Sequence, residues 1–265
     1  MKYSRLLPAD IIRKKSDRIP ITMVAAYDAW SAKLVDEVGI DIILVGDSAG
    51  NIVAGYPTTL PMTVDHMMYH CQAVNSASNH AMVVADMPFM SYCNDDVAKI
   101  NAGRFLKESG ATAVKMEILP AQIETLKAVT AIGIPVMAHI GFTPQTLFQL
   151  GGYKVQGKGE TAKQAMVDLA VSIEAAGAFS IVLEMVPADV ATAIQSKLTI
   201  PTIGIGAGVH CDGQVLVFHD LVGISEKPPK FVRQFGHIRE AIITALSQYK
   251  HSVLTQEFPG EEHSF

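Results

Sequence analysis

The chain is poor in cysteine and tryptophan, with 3 and 1 in 265 residues. Cys71, Cys93 and Cys211 are odd in number and lack metal-ligand spacing, which excludes a disulfide framework and suits a reducing compartment, the cytoplasm. No uncharged apolar stretch approaches the roughly 20 residues of a membrane helix, so no membrane partner is expected. Charge of one sign is missing too. Lys and Arg number 21 against 26 Asp and Glu, a formal net charge of -5, which offers no basic face to nucleic acid. The basic start (Lys2, Arg5, Arg13, Lys14, Lys15, Arg18) leads into a strand-length apolar run, not a signal-peptide core. There is no Pro/Ser/Gly-rich linker and no low-complexity tract, so a single domain spanning 1–265 is expected.

What the chain does have is a repeated form: short apolar runs that end in a carboxylate. Asp41-Ile-Ile-Leu-Val-Gly-Asp47, Met82-Val-Val-Ala-Asp86, Ala113-Val-Lys-Met-Glu117 and Ser180-Ile-Val-Leu-Glu184 all read as buried strands. Counting such runs predicts eight strands, at 21–26, 42–45, 82–85, 113–116, 136–138, 180–183, 202–204 and 215–218. Helix-compatible segments alternate with them, and those at 29–38, 95–109 and 161–176 are each followed by a glycine suited to a C-cap. Pro135 and Pro201 each lead into a strand. The alternation predicts an α/β fold, a (β/α)8 TIM barrel. An open doubly wound sheet competes, but no Gly-x-Gly-x-x-Gly turn follows the first strand and the count of eight favours closure.

In parallel strands all carboxyl ends lie on one face, so the acids would converge there. Asp28 and Asp220 are better explained as helix caps. Asp47, Asp86 and Glu117, on successive strands 2, 3 and 4, would repel one another and invite protonation or a bound cation. Oxygen ligands without cysteine favour Mg²⁺ over Zn²⁺, with waters retained. Lys115 and Glu117 are two apart on a strand and share the interior face, where the lysine needs an anion: Glu117, Asp86 or a substrate carboxylate. Glu184 precedes Met185-Val186-Pro187, apolar enough to raise its pKa towards that of a general base. His139, after strand 5, either donates to a substrate or satisfies a core carbonyl.

Weaker signals accompany these. Gly204-Ile-Gly-Ala-Gly208 lacks the Lys-Ser/Thr of a P-loop and is better read as a tight turn than as an anion site. Two long connections, 48–63 and 141–159, are placed to close over the strand ends, and Tyr153 and Lys154 offer polar contacts on the second. His66 and His70 have helix metal-binding spacing but no matching acid nearby, which favours surface or packing roles.

Across nearly its whole length the chain resembles the ketopantoate hydroxymethyltransferase family. The resemblance runs through Thr22-Met-Val-Ala-Ala-Tyr-Asp28, Val45-Gly-Asp-Ser48, Thr59-Leu-Pro-Met-Thr63, Ala85-Asp-Met-Pro-Phe-Met90, Val114-Lys-Met-Glu117 and His139-Ile-Gly-Phe-Thr-Pro-Gln145. It continues through Gly151-Gly-Tyr-Lys-Val-Gln-Gly157, Val182-Leu-Glu184, Gly204 to Gly208, Cys211-Asp-Gly-Gln-Val-Leu-Val217 and the tail 259–265. The resemblance implies a Mg²⁺ site at Asp47, Asp86 and Glu117, in part through water. It implies oxo-acid contacts from Ser48 and Lys115, with Asp47 and Asp86 nearby, and Glu184 as proton acceptor; His139 is added as a substrate contact.

The implied reaction moves a hydroxymethyl group from the co-substrate 5,10-methylenetetrahydrofolate to 3-methyl-2-oxobutanoate through a Mg-stabilised enolate. Its product is 2-dehydropantoate, in pantothenate biosynthesis. The implied partners are the 2-oxo acid, the folate and further copies of the chain in a homodecamer. The runner-up is a Mg²⁺-dependent lyase or mutase resembling the phosphoenolpyruvate mutase and isocitrate lyase group, but its Lys-Lys-Cys-Gly-His-type lid signature is missing here. A non-enzymatic barrel, with merely structural acids, is disfavoured by an inward Lys115 and Glu184.

Overall fold

The computed structural model describes residues 5–265, so Lys2 of the basic start lies outside the described residues. Eight parallel strands close into a barrel in chain order. They are β1 (Ile21–Ala25), β2 (Ile42–Val45), β3 (Met82–Asp86), β4 (Ala113–Glu117), β5 (Val136–Gly141), β6 (Ser180–Glu184), β7 (Thr202–Ile205) and β8 (Gly213–Val217). β2, β3 and β4 are buried at every position, as expected of strands covered by side-chain layers within and helices without. All eight expected strands are present. β8 begins two residues earlier than expected, and β5 runs three residues further, which puts His139 inside the strand instead of after it.

Side-chain caps start several of the covering helices. Asp28 accepts from the Ser31 N–H (2.8 Å), Thr63 from His66 (3.2 Å) and Asn94 from Val97 (3.0 Å), satisfying donors that the first helical turn leaves open. Asp28 is therefore the cap its position suggested. The helix expected over 95–109 divides: Asp95–Arg104 is α-helical, and Phe105–Ser109 is a single π turn that brings both Phe105 and Ser109 to the buried side. Among the described residues no helix is long and apolar enough to cross a membrane.

Strand register does most of the positioning. Asp86 lies opposite Lys115, Glu117 opposite His139, and Gly141 opposite Glu184. Residues opposite one another or two apart share a face, so Asp86, Lys115, Glu117, His139 and Glu184 all belong to the barrel interior.

The chain divides into two compact units, Met1–Leu216 and Val217–Phe265. The second holds the short helix Phe218–Leu221, the helix Ile238–Leu254 and a final 3₁₀ turn, Glu261–His263. Phe258 packs against Tyr249 and His263, with ring centroids 5.8 and 5.1 Å apart. Asp220 is not a helix cap as expected. It lies inside Phe218–Leu221, whose N-cap is Val217, because the chain turns helical directly from β8.

Candidate active site

A chain of contacts crosses the carboxyl end of the barrel. Lys115 Nζ lies 2.9 Å from Asp86 Oδ1 and 3.2 Å from His139 Nδ1, and His139 Nε2 lies 3.3 Å from Glu184 Oε2. Glu117 Oε1 stands 3.8 Å from His139 Nδ1 and has no hydrogen-bond partner. Asp47, Asp86, Lys115, Glu117 and His139 are all buried. Glu184 is the more open, with 16% of its side chain exposed. Of the anions offered to Lys115 by sequence, Asp86 is the one it pairs with.

The electrostatics follow from crowding acids in a dry place. Burial pushes the Asp86 carboxyl up to about 7; Asp47 adds to the rise and Lys115 opposes it. Burial likewise holds Glu117 well above the usual carboxylate range. Burial alone would lower Lys115, but Asp86, Glu117 and Asp47 outweigh it and keep the ammonium charged. Burial, then the neighbouring Lys115 charge, holds His139 well below its ordinary value, so the ring is neutral. Burial raises Glu184 to about 7, with Lys115 opposing. A carboxylate poised near neutrality at the open edge of the site has the pKa of a general base.

Asp47 lies two residues beyond β2, where its N–H donates to Asp86 Oδ2 (3.1 Å) and its own Oδ2 accepts from Gln145 Nε2 (3.0 Å). Ser48 shares a 2.7 Å hydrogen bond with the Tyr27 hydroxyl. The sequence did not single out Tyr92 or Gln145 as functional residues. Tyr92 donates to Gln145 Oε1 (2.6 Å), and the Gln145 N–H donates to Glu117 Oε2 (3.1 Å). Beside them a cleft of about 200 Å³ is lined by Phe89, Met90, Cys93, Leu119 and Gln122, with Glu117 and Gln145 also on its wall.

Other candidates stand apart from this cluster. His66 exchanges contacts with Thr63 in a capping box, and His70 Nδ1 lies 2.8 Å from the Tyr27 carbonyl oxygen, so both have the local roles that the sequence favoured. Tyr153 packs on Phe142, centroids 5.0 Å apart. In the 204–208 turn, Gly206 and Gly208 have φ of 63° and 87°, as a tight turn requires.

A cation fits this donor set in chemistry more than in present arrangement. Three buried carboxylates surround one lysine, and an orphaned Glu117 oxygen is an oxygen ligand without a partner. Among the described residues, however, no three His, Cys, Asp or Glu side chains are arranged to hold a metal ion. The two agree for a hydrated cation that would take only one or two protein carboxylates directly.

A closed barrel with acids, a lysine and a histidine clustered on its carboxyl-end face is of the (β/α)8 class, whose enzymes place their active sites there. Solved structures agree on the fold. Phosphonopyruvate hydrolase superposes with a TM-score of 0.61 at 16% identity, covering 98% of this chain and 92% of that one. The 2,3-dimethylmalate lyase of the PEP mutase/isocitrate lyase superfamily gives 0.60 at 15%, covering 97% and 91%. Sequence is more specific. The family model for ketopantoate hydroxymethyltransferase matches residues 5–261, and the chain belongs to that family. The 3-methyl-2-oxobutanoate hydroxymethyltransferase of Syntrophus aciditrophicus (strain SB) is 52% identical over 256 residues, 96% of this chain and 93% of that protein. The enzyme of the same name from Geobacter metallireducens is 51% identical over 258 residues, 97% of each chain. Ketopantoate hydroxymethyltransferase activity, in pantothenate synthesis, is the activity of this family.

Proposed function

We propose that the chain transfers the one-carbon unit of 5,10-methylenetetrahydrofolate to C3 of 3-methyl-2-oxobutanoate, with uptake of water, giving 2-dehydropantoate and tetrahydrofolate. The observation that carries this is Glu184: a carboxyl raised to about 7, partly open, 3.3 Å from a neutral histidine and on the same interior face as the Lys115–Asp86 pair.

Glu184 takes the C3 proton of the oxo acid as general base. Lys115 supplies a fixed positive charge to the substrate's carboxylate and to the oxygen on which charge develops as that proton leaves. Burial of Asp86, Lys115, Glu117 and His139 excludes bulk water from that oxygen and strengthens each of these interactions. Ser48, tied to Tyr27, would contact the same acid. Asp47, Asp86 and Glu117 would hold Mg²⁺, some of them through water. When bound, that ion acidifies the C3 proton by polarising the carbonyl, and it neutralises the crowded acids. His139, a neutral ring with Nε2 3.3 Å from Glu184 Oε2, would flank the base.

The resemblance carries a homodecamer in the cytoplasm into this proposal, consistent with three free thiols; light scattering tests the assembly.

Exchange of the C3 proton in D₂O, followed by NMR with and without tetrahydrofolate, tests the chemistry. Mg²⁺-dependent exchange that EDTA abolishes supports the proposal, and exchange indifferent to both sinks the cation assignment. Adding methylenetetrahydrofolate must then yield 2-dehydropantoate; a lyase yields none.

A further inference from the structure

Asp47 and Glu117 stand at the ends of β2 and β4 with β3 between them, and they meet through one residue. Gln145 lies on the 3₁₀ turn Pro144–Thr146 after β5 and is 5% exposed. Its backbone N–H donates to Glu117 Oε2 at 3.1 Å. Its side-chain Nε2 donates to Asp47 Oδ2 at 3.0 Å and to the Met87 carbonyl at 2.9 Å. Its Oε1 accepts from the Tyr92 hydroxyl at 2.6 Å.

The amide cannot be turned round without loss. A flip would set Oε1 against an Asp47 carboxylate and a carbonyl, both acceptors, and Nε2 against the Tyr92 hydroxyl. The Met87 carbonyl, which can only accept, therefore fixes which end of the amide faces Asp47, and the buried Tyr92 hydroxyl donates to the other end. The turn that carries Gln145 is closed on itself by the Thr146 N–H and hydroxyl, which both donate to the Thr143 carbonyl (2.9 and 3.0 Å).

The result is a bridge that binds one oxygen of each carboxylate. Like-charged side chains left alone in a buried site would turn apart or take up protons. The bridge holds one oxygen of each and leaves Glu117 Oε1 without a partner. We infer that Gln145, oriented by the Met87 carbonyl and anchored by Tyr92, is a positioning residue that sets the spacing and direction of Asp47 and Glu117 for a divalent cation. This rests on the reading of those acids as cation ligands. Neither Gln145 nor Tyr92 touches the reacting carbon in this scheme.

The test is calorimetric titration of Mg²⁺ into the full-length protein with 3-methyl-2-oxobutanoate and no folate, so that binding is read without turnover to product. Gln145→Leu, which keeps the backbone bond to Glu117 but loses the bond to Asp47, is expected to weaken Mg²⁺ binding by about tenfold or more, the size of a lost hydrogen bond to a charged group. Saturating Mg²⁺ should then recover C3 exchange, which simple damage to the fold would not allow. Tyr92→Phe leaves buried Gln145 Oε1 without its donor, loosens the bridge and should weaken binding in the same direction by about threefold. If Gln145→Leu does not fold, Tyr92→Phe decides: a weakened titration supports the inference and an unchanged one overturns it. Unchanged Mg²⁺ affinity in a folded Gln145→Leu protein, or a loss of exchange that excess Mg²⁺ does not recover, also overturns it. Absence of Mg²⁺ binding by the unaltered protein removes the cation reading itself, and the inference with it.

Discussion

Lys115 fixes the tautomer of His139. An ammonium has only donors, so the His139 Nδ1 that lies 3.2 Å from Lys115 Nζ must be the acceptor nitrogen. The neutral ring then carries its proton on Nε2, the atom 3.3 Å from Glu184. That N–H stands beside Glu184 without hydrogen-bonding to it, so His139 offers no competing base there. In the proposed reaction this leaves Glu184 free to act as the proton acceptor, with His139 held in the interior of β5.

Glu184→Gln should lower C3 exchange by about 100- to 10,000-fold, the usual contribution of a positioned general base, with oxo-acid binding retained. In the unaltered protein exchange should rise with pH through about 7, since the raised carboxyl must lose its proton before it can accept one. A pH profile flat from 6 to 8, or exchange preserved in the variant, removes Glu184 from this role.

Lys115→Met should strand Asp86 in the interior. Loss of one partner of a buried pair costs on the order of 3 kcal/mol or more. The sign with pH follows from Asp86, which is already raised to about 7 by burial. Its folded form holds a proton that the unfolded form has released above an ordinary carboxylate value. Stability should therefore fall as pH rises through the interval between those two values, and in the variant, where Lys115 no longer opposes the rise, the fall should continue to higher pH. Urea denaturation at pH 5 and pH 8 measures the difference.

Gly141→Ala should damage the base from the neighbouring strand. Gly141 has φ of 98°, and a Cβ there would stand 2.3 Å from the Glu184 carbonyl oxygen. The backbone conformation alone costs about 1–3 kcal/mol for a residue with a side chain. The clash adds to it by displacing Glu184. Thermal unfolding should show a lower midpoint, and exchange should fall further than the loss of folded protein explains.

Asp212→Ala should separate stability from chemistry. Asp212 precedes β8 at the amino-end face, away from the acids described above, and accepts from Lys15 (2.9 Å), Gln195 (2.9 Å) and the Thr202 N–H (2.8 Å) and hydroxyl (2.9 Å). Burial works against its charge, but bonds from Gln195, Thr202 and Lys15 prevail and hold its pKa below the usual carboxylate value. Its contribution, about 2 kcal/mol, is present above that usual value and fades as pH falls towards the depressed one. The variant should melt earlier at neutral pH with the exchange rate per folded molecule unchanged.

The barrel was readable because strands buried on both faces leave continuous apolar runs, and because a strand-end acid such as Asp86 or Glu117 interrupts such a run visibly. Glu184 was readable for the same reason. The choice among partners for Lys115 was not, since Glu117 shares its face while Asp86 is its neighbour only through the register of β3 with β4. Gln145 and Tyr92 carry no periodic signal at all. They come from irregular connections, 53 positions apart, and meet only after the barrel has closed. Asp220 misled because a polar residue after a strand looks the same whether it precedes a helix or lies within one.

The surplus of buried carboxylate has a consequence for the sequence of binding events. Asp47, Asp86, Glu117 and Glu184 face a single lysine, so an anionic oxo acid arriving by itself meets a site already over-supplied with negative charge. Its entry is thermodynamically linked to the uptake of a counter-charge, either a divalent ion or protons on Asp86 and Glu117. Ion and acid should therefore tighten each other's binding by the same factor, and the apparent affinity for the acid should climb with ion concentration or, with no ion present, as the solution becomes more acidic.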